Sequence, residues 1–435
     1  MLAALGCADI DELFRCVPQA VRLPRALNLP GPLAELEVRE RVRELAEANA
    51  GARRTCLLGG GVYDHYVPAA VEHIVGRAEF FTAYTPYQPE LSQGMLAAMY
   101  EFQSMVCELT ALDVANASLY DGATALAEAA FVAAGATGRT EIVLPQAVNP
   151  RYRDVLATQV AASGLRIISV PHEGGRTAPD AVARAVSERC AAVVVQQPNY
   201  FGCIEETREI SEAAHRAGAL LIACVDPISL ALLEPPGEYG ADIAVGEGQP
   251  LGLPLSYGGP LLGLFACTRR LVRRMPGRVV GRTVDAAGRV AYTLTLQTRE
   301  QHIRRERATS NICTNQGLCA LAATVYLAAL GKHGLRQVAE LCLQRTHYFY
   351  DKLCALKRWE PVFFAPFFRE FVVRYAGERA ELARALERAD AAIGPEVSRE
   401  AGVEGAYLVA VTEKVSRARL DEILASLAES EQGKQ

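Results

Sequence analysis

The sequence predicts an α/β fold: a mostly parallel sheet of seven strands covered by helices, followed by a smaller α+β domain. Between residues 95 and 270, short apolar runs alternate with helix-length segments, the order that repeated βα units give. Those runs are continuous rather than alternating, as strands buried on both faces are. Past residue 330 the order changes to a helix, Phe- and Val-rich strands, and a helix, a strand and a last helix.

Composition bounds the function. The chain has 435 residues, 50% hydrophobic and 22% charged, enough for two or three domains and a large core. A net charge of −5 gives no reason to expect a nucleic-acid partner. The 12 cysteines are scattered without zinc spacing, so buried reduced thiols are expected and no metal. Residues 1–16 carry early acids and no basic start, so no signal peptide is expected. No run of about 18 apolar residues occurs, so no membrane span is expected and the cytoplasm is the expected compartment.

Taken in order, residues 1–94 predict an arm and an interface segment. Asp9–Phe14 reads as a helical turn, Pro18–Pro32 as extended chain and Glu35–Asn49 as a helix with an exposed face. The arm suits wrapping a partner subunit or lying in solvent. Residues 95–330 are the large α/β domain. Ala97–Leu112 and the segment from Gly122 to about Gly135 predict helices. The strands are Ala115–Leu119, Ile142–Leu144, Leu165–Val170, Ala191–Val195, Ala219–Val225, Ile243–Val245 and Leu261–Cys267. Gly317–Leu330 predicts a helix with Asn315 as its cap. Residues 331–435 are the small domain: helices at Gln337–Trp359, Glu378–Arg388 and Leu420–Ala428, strands within Pro361–Tyr375 and at Ala406–Val411.

The stretch Asp242–Thr268 organises the chain: a strand, a glycine-rich loop, a strand. In α/β sheets a loop at the carboxyl end of a strand is where a cofactor is met. In pyridoxal-phosphate enzymes of the aminotransferase-like fold (fold type I), this loop carries the lysine that binds the cofactor covalently. Here it reads Gly246-Glu247-Gly248-Gln249-Pro250, and no lysine precedes Lys332. The five lysines all lie after residue 331, outside glycine-rich loops.

Other turns carry candidate chemistry. Asp121 opens the helix at Gly122, where a phosphate could sit; a carboxylate there caps the helix itself and repels a phosphate, and the self-capped reading is preferred. The loop Gln196–Gly202 suits a pocket wall or an ordinary turn. Asp226 ends a strand, where this fold pairs an Asp with the pyridine nitrogen; without a cofactor it caps the turn at Pro227. The Tyr84-Thr85-Pro86-Tyr87-Gln88 segment puts hydroxyls and an amide on a stiff loop, suited to a pocket lip or a structural turn. Arg278, Arg282, Arg299, Arg304, Arg305 and Arg307, along with Glu300, Glu306 and His302, form an arginine-rich cluster that suits an anion, a subunit contact or solvent. Asn311, Thr314 and Asn315 follow it.

Five ordered stretches together resemble one family: GGGVYDHYVP (59–68), TAYTPYQPELSQG (82–94), NASLYDGATALAEA (116–129), GEGQPLGLPLSYGGP (246–260) and REQHIRRERATSNICTNQ (299–316). They resemble the split, two-gene form of the glycine cleavage system P-protein, in its alpha (N-terminal-half) subunits. The resemblance covers nearly the whole chain. It implies a fold type I subunit that binds no cofactor, with pyridoxal phosphate and its lysine on a beta subunit in an α2β2 assembly. It implies that the complex decarboxylates glycine and passes the aminomethyl group to the lipoyl group of H-protein. On that reading Asp121, Asp226 and Gln249 are vestigial cofactor-site positions, and no residue of this chain is catalytic. Tyr84, Thr85, Tyr87, Gln88, Arg299, His302, Arg304, Arg305, Arg307, Asn311, Thr314 and Asn315 would face the partner or its active-site entrance. The family commonly has lysine where Arg307 stands; it often has an extra segment before this start, and a longer stretch between Arg388 and Glu404. Two other classes stay open: a purely structural scaffold, and an autonomous pyridoxal-phosphate enzyme with an atypical site. A nicotinamide dehydrogenase lacks its G-x-G-x-x-G turn.

Overall fold

The computed structural model describes residues 1–435 except 50, 52, 83–84, 313 and 433–435. It divides into two compact units, Met1–Arg53 and Arg54–Gln435. The described elements of the first include the short 3-10 turns Leu2–Leu5, Asp11–Phe14 and Gln19–Val21 and the helix Glu35–Glu47, whose first turn is closed by Glu37 accepting from the Ala34 N–H at 2.7 Å. None of its described residues is buried.

Among its described residues the second unit contains fourteen strands in four sheets. They are β1 (Thr55–Leu58), β2 (Val114–Ala115), β3 (Glu141–Pro145), β4 (Arg166–Val170), β5 (Cys190–Gln197), β6 (Leu220–Val225), β7 (Ile243–Glu247), β8 (Gly263–Cys267), β9 (Val279–Val284), β10 (Val290–Thr295), β11 (Trp359–Pro361), β12 (Glu370–Tyr375), β13 (Ala391–Gly394) and β14 (Ala406–Ala410).

The large sheet has the expected seven strands, in the order β2-β8-β7-β6-β5-β3-β4. Strands β3 to β7 run parallel; β8 is antiparallel to β7 and β2 to β8. The continuous apolar runs have the cause expected of them. Ile142, Val194, Ile222 and Val245 pack under the helices Gly122–Thr137 and Pro150–Val160. Their neighbours Val143, Val193, Leu221 and Ala223 face the opposite side, under Thr207–Arg216. Each buried aliphatic side chain contributes about 1.5–3 kcal/mol.

Three features depart from the expectation. The strand expected over Ala115–Leu119 pairs only at Val114–Ala115; Asn116 then turns the chain by accepting from the Ser118 N–H at 3.1 Å. Leu119 returns to the sheet in a single bridge to Gly263. The polar segment after residue 271 folds an antiparallel hairpin, β9–β10, closed by Asp285, whose side chain accepts from the Ala287 and Arg289 N–H groups at 2.8 and 2.9 Å. The helix Gly317–Cys354 runs across residue 330 with a break at Gly331, where φ is +58°. It holds an 18-residue window of mean hydropathy 1.4, half of it buried. Its Tyr326, Leu335, Ala339 and Cys342 lie in the core, as in a core helix. Among the described residues every cysteine is free.

The C-terminal elements form an antiparallel sheet, β11-β12-β14, and a parallel pair, β1-β13. Strand β1 therefore joins the C-terminal layer. The chain following it, residues 59–66, passes between that layer and the carboxyl end of the large sheet.

Candidate functional site

The carboxyl ends of β5, β6 and β7 meet the N-terminus of the helix Gly122–Thr137, residues 59–66 and the segment leading into β12. Asp226 follows directly on β6. One carboxylate oxygen accepts from the Ile228 N–H at 3.0 Å, the turn cap expected of it. The other lies 2.7 Å from Nη2 of Arg369. Arg369 is 1% exposed, and its guanidinium lies 3.6 Å from the centre of the Tyr63 ring. Burial works against that charge. Burial is the largest single effect, but Asp226 acting together with Tyr63, Cys342 and Glu370 outweighs it, so the Arg369 pKa is raised.

Arg369 also donates to His65 Nε2. An arginine cannot accept, so the imidazole is neutral and its Nδ1–H donates to Glu413 at 2.6 Å. Burial lowers the His65 pKa in agreement. Burial alone would raise the Glu413 carboxyl; the His65 donor and the Tyr66 N–H turn the shift downward, to about 2. His65, Cys342 and Glu413 bring three potential metal ligands within 4.8 Å of one another, but both ring nitrogens of His65 are already engaged. Glu370 joins from the other side, accepting from Tyr63 Oη and the Gly60 N–H, both at 2.7 Å.

The helix N-terminus is filled from within. Asp121 accepts from the Thr124 N–H at 2.7 Å, the expected self-cap. Glu247 supplies a second carboxyl: it accepts from the N–H groups of Gly122 at 3.0 Å, Gln249 at 2.9 Å and Leu262 at 2.9 Å. Burial pushes its pKa up to about 7 against those donors. Gln249 is fully buried; its amide nitrogen donates to the carbonyls of Tyr63 and Leu253 at 2.9 and 2.8 Å. The space left among Gly61, Tyr63, Asn149, Tyr152, Asp226 and Arg369 is about 30 Å³. Cofactor pockets are about 300–1,000 Å³; this one admits about one water. The loop 196–202 does wall it, with Asn149 N–H donating to Gln196 at 2.8 Å.

The second group of expected residues lies apart from this site. Tyr84 lies outside the described residues. Arg278, 3% exposed, joins the two stretches: it donates to the Tyr87 hydroxyl at 3.1 Å and to Asn315 Oδ1 at 3.2 Å. Asn315 donates in turn to the Ala117 carbonyl at 2.7 Å. Tyr87, His302 and Arg305 line one surface depression of about 380 Å³ with Glu300, Gln301 and Ile312. Arg299 turns inward: Nε donates to the Leu296 carbonyl and Nη2 to that of Gly277, both at 3.0 Å, and Nη1 to that of Met275. It braces the hairpin and does not open onto the depression. Thr85 and Gln88 offer backbone carbonyls to Tyr87 and Leu91 at 2.8 and 3.1 Å. Arg304, Arg307, Asn311 and Thr314 are exposed, Arg307 with its Nε 3.8 Å from Glu306.

Sequence reasoning did not single out Arg369, Glu247, Tyr63 or His65. Signals for two of them were present: the pair Arg369-Glu370 interrupts the run Phe367 to Val373, and Glu247 sits among glycines after a buried strand.

Comparison with known proteins gives the family. The family model "Glycine cleavage system P-protein" matches residues 1–427. The chain is 53% identical over 428 residues to the probable glycine dehydrogenase (decarboxylating) subunit 1 of Moorella thermoacetica, covering 98% of this chain and 96% of the relative. It is 50% identical over 430 residues to the protein of the same name from Chlorobium limicola, covering 98% and 97%. A crystal structure of an inhibitor-bound glycine decarboxylase (P-protein) of the glycine cleavage system superposes with a TM-score of 0.92 at 45% identity, over 99% of this chain and 97% of that one. A Burkholderia pseudomallei sphingosine-1-phosphate lyase, at 16% identity and a TM-score of 0.68 over 96% of this chain and 94% of its own, shows the fold alone. By the family model and by relatives matched along nearly their full length, the chain belongs to the glycine cleavage system P-protein family.

Proposed function

We propose that this chain is the subunit of a glycine decarboxylase that carries no pyridoxal phosphate, and that a sister subunit holds the cofactor and its lysine. One observation carries the reading: the position facing the sheet end is Gln249, locked by three hydrogen bonds to Tyr63 and Leu253, and no lysine precedes Lys332. The residues present do not fit the cofactor. The cavity is about 30 Å³, Asp226 is paired with Arg369, and the helix N–H groups are engaged by Asp121 and Glu247. Two of the most similar relatives bear the name subunit 1, which supports the existence of a partner. We extend this to an α2β2 assembly in the cytoplasm that releases carbon dioxide from glycine and passes the aminomethyl group to the lipoyl arm of H-protein.

In this reading the chain's own contribution is a surface. Tyr87, His302 and Arg305 line a depression held in shape by Arg278 and Asn315, and they face the sister subunit near its entrance. Each chain would be purified alone and mixed, with glycine decarboxylation and glycine–bicarbonate exchange measured. Activity only in the mixture supports the proposal; activity of the sister alone, merely less stable, favours a scaffold role.

A further inference from the structure

We propose that Arg369 is a built-in ligand: its guanidinium takes the cation position opposite Asp226 and clamps the C-terminal sheet onto the large sheet without any bound small molecule. Asp226 belongs to the large sheet, directly after β6, while Arg369 directly precedes β12 of the C-terminal sheet. The pair, 2.7 Å apart, spans the two layers. Tyr63 covers the guanidinium face at 3.6 Å, and His65 and Glu413 extend the network to the chain after β14. Asp226, Tyr63 and His65, from three separate parts of the chain, meet at this one side chain. Hinged α/β proteins close around a bound ligand; here the chain supplies the charge that a ligand would bring, so one arrangement of the layers persists.

The energetic logic separates a clamp from incidental packing. A buried pair loses far more when one partner is removed than when both are replaced by groups of similar shape, because the survivor is left as an uncompensated charge. Two independent contacts would instead show additive effects.

The test uses the full chain, with Asp226→Asn, Arg369→Met and the double variant in urea unfolding. Each single substitution is expected to raise the unfolding equilibrium constant on the order of 100-fold or more, and the double variant less than either single one. Additive effects would overturn the clamp. Arg369→Ala gives a second readout. Millimolar methylguanidinium is expected to raise its melting temperature saturably and to leave the wild type and Asp226→Asn/Arg369→Ala unchanged. An equal response in all three would overturn the assignment. Should the variants fail to fold, hydrogen exchange on the wild type decides. Amides of 220–226 and 370–375 are expected to open in one cooperative step, and separate opening overturns the clamp. A subunit without cofactor needs no such clamp, so failure here leaves the proposed function standing.

Discussion

Gln249 and Tyr63 exchange a reciprocal pair of hydrogen bonds: the Tyr63 N–H donates to Gln249 Oε1 at 3.0 Å, and Gln249 Nε2 donates to the Tyr63 carbonyl at 2.9 Å. On the proposed function, this pair closes the place where a cofactor-binding lysine would have to project. Gln249→Lys therefore restores nothing. It leaves a buried N–H without its acceptor and destabilises the chain by about 1–3 kcal/mol. Added pyridoxal phosphate is expected to produce no imine absorbance band in the variant. A stoichiometric band would mean that the pocket opens readily.

Gly202 is the tightest point of the wall. Its φ is +81°, and a Cβ there would lie 1.9 Å from the Glu370 carbonyl oxygen, a backbone atom. Gly202→Ala is expected to cost about 1–3 kcal/mol or more, through overpacking and left-handed strain together. Thermal unfolding checks this, and an unchanged melting temperature would contradict the packing described.

Glu128 predicts a pH dependence. Burial pushes its carboxyl up to about 7 from an ordinary 4.5, against a hydrogen bond with Ser310. The folded state thus holds this proton more tightly than the unfolded chain. The contribution is full below about pH 4.5 and is lost as pH rises through about 7. Glu128→Gln removes the titration, so the variant gains on the wild type by up to roughly 3 kcal/mol between pH 4.5 and pH 8. Urea midpoints across that range measure the difference; a constant difference would contradict it.

The depression at Tyr87 and Arg305 is expected to serve assembly or the entrance. Both side chains are exposed, so neither substitution should unfold the chain. Tyr87→Ala with Arg305→Ala is expected to lower glycine–bicarbonate exchange about 10-fold or more in the assembled enzyme, as loss of hot-spot contacts does. Unchanged exchange and unchanged co-elution with the sister would remove this surface from the account.

The large sheet was legible because its strands are buried on both faces and so read as continuous apolar runs. The Asp121 cap was legible because its partner, Thr124, is three residues away. Long-range partners were not. Strand β1 pairs Thr55 with Ala391, and neither short segment signals the other. The hairpin β9–β10 was hidden because its residues are partly exposed and flanked by arginines. Arg369 was hidden for a related reason: its partners Asp226, Tyr63 and His65 come from distant parts of the chain, so only the folded structure shows the cation beside Asp226.

On the proposed function, this chain holds no covalent pyridoxal phosphate. The most direct measurement is borohydride reduction of the assembled enzyme with its cofactor, followed by peptide mapping of both subunits. Stoichiometric pyridoxyl-lysine is expected on the sister subunit and none on this one. A stoichiometric pyridoxyl-modified peptide from this chain, or carbon dioxide released from glycine by this chain alone, would contradict it.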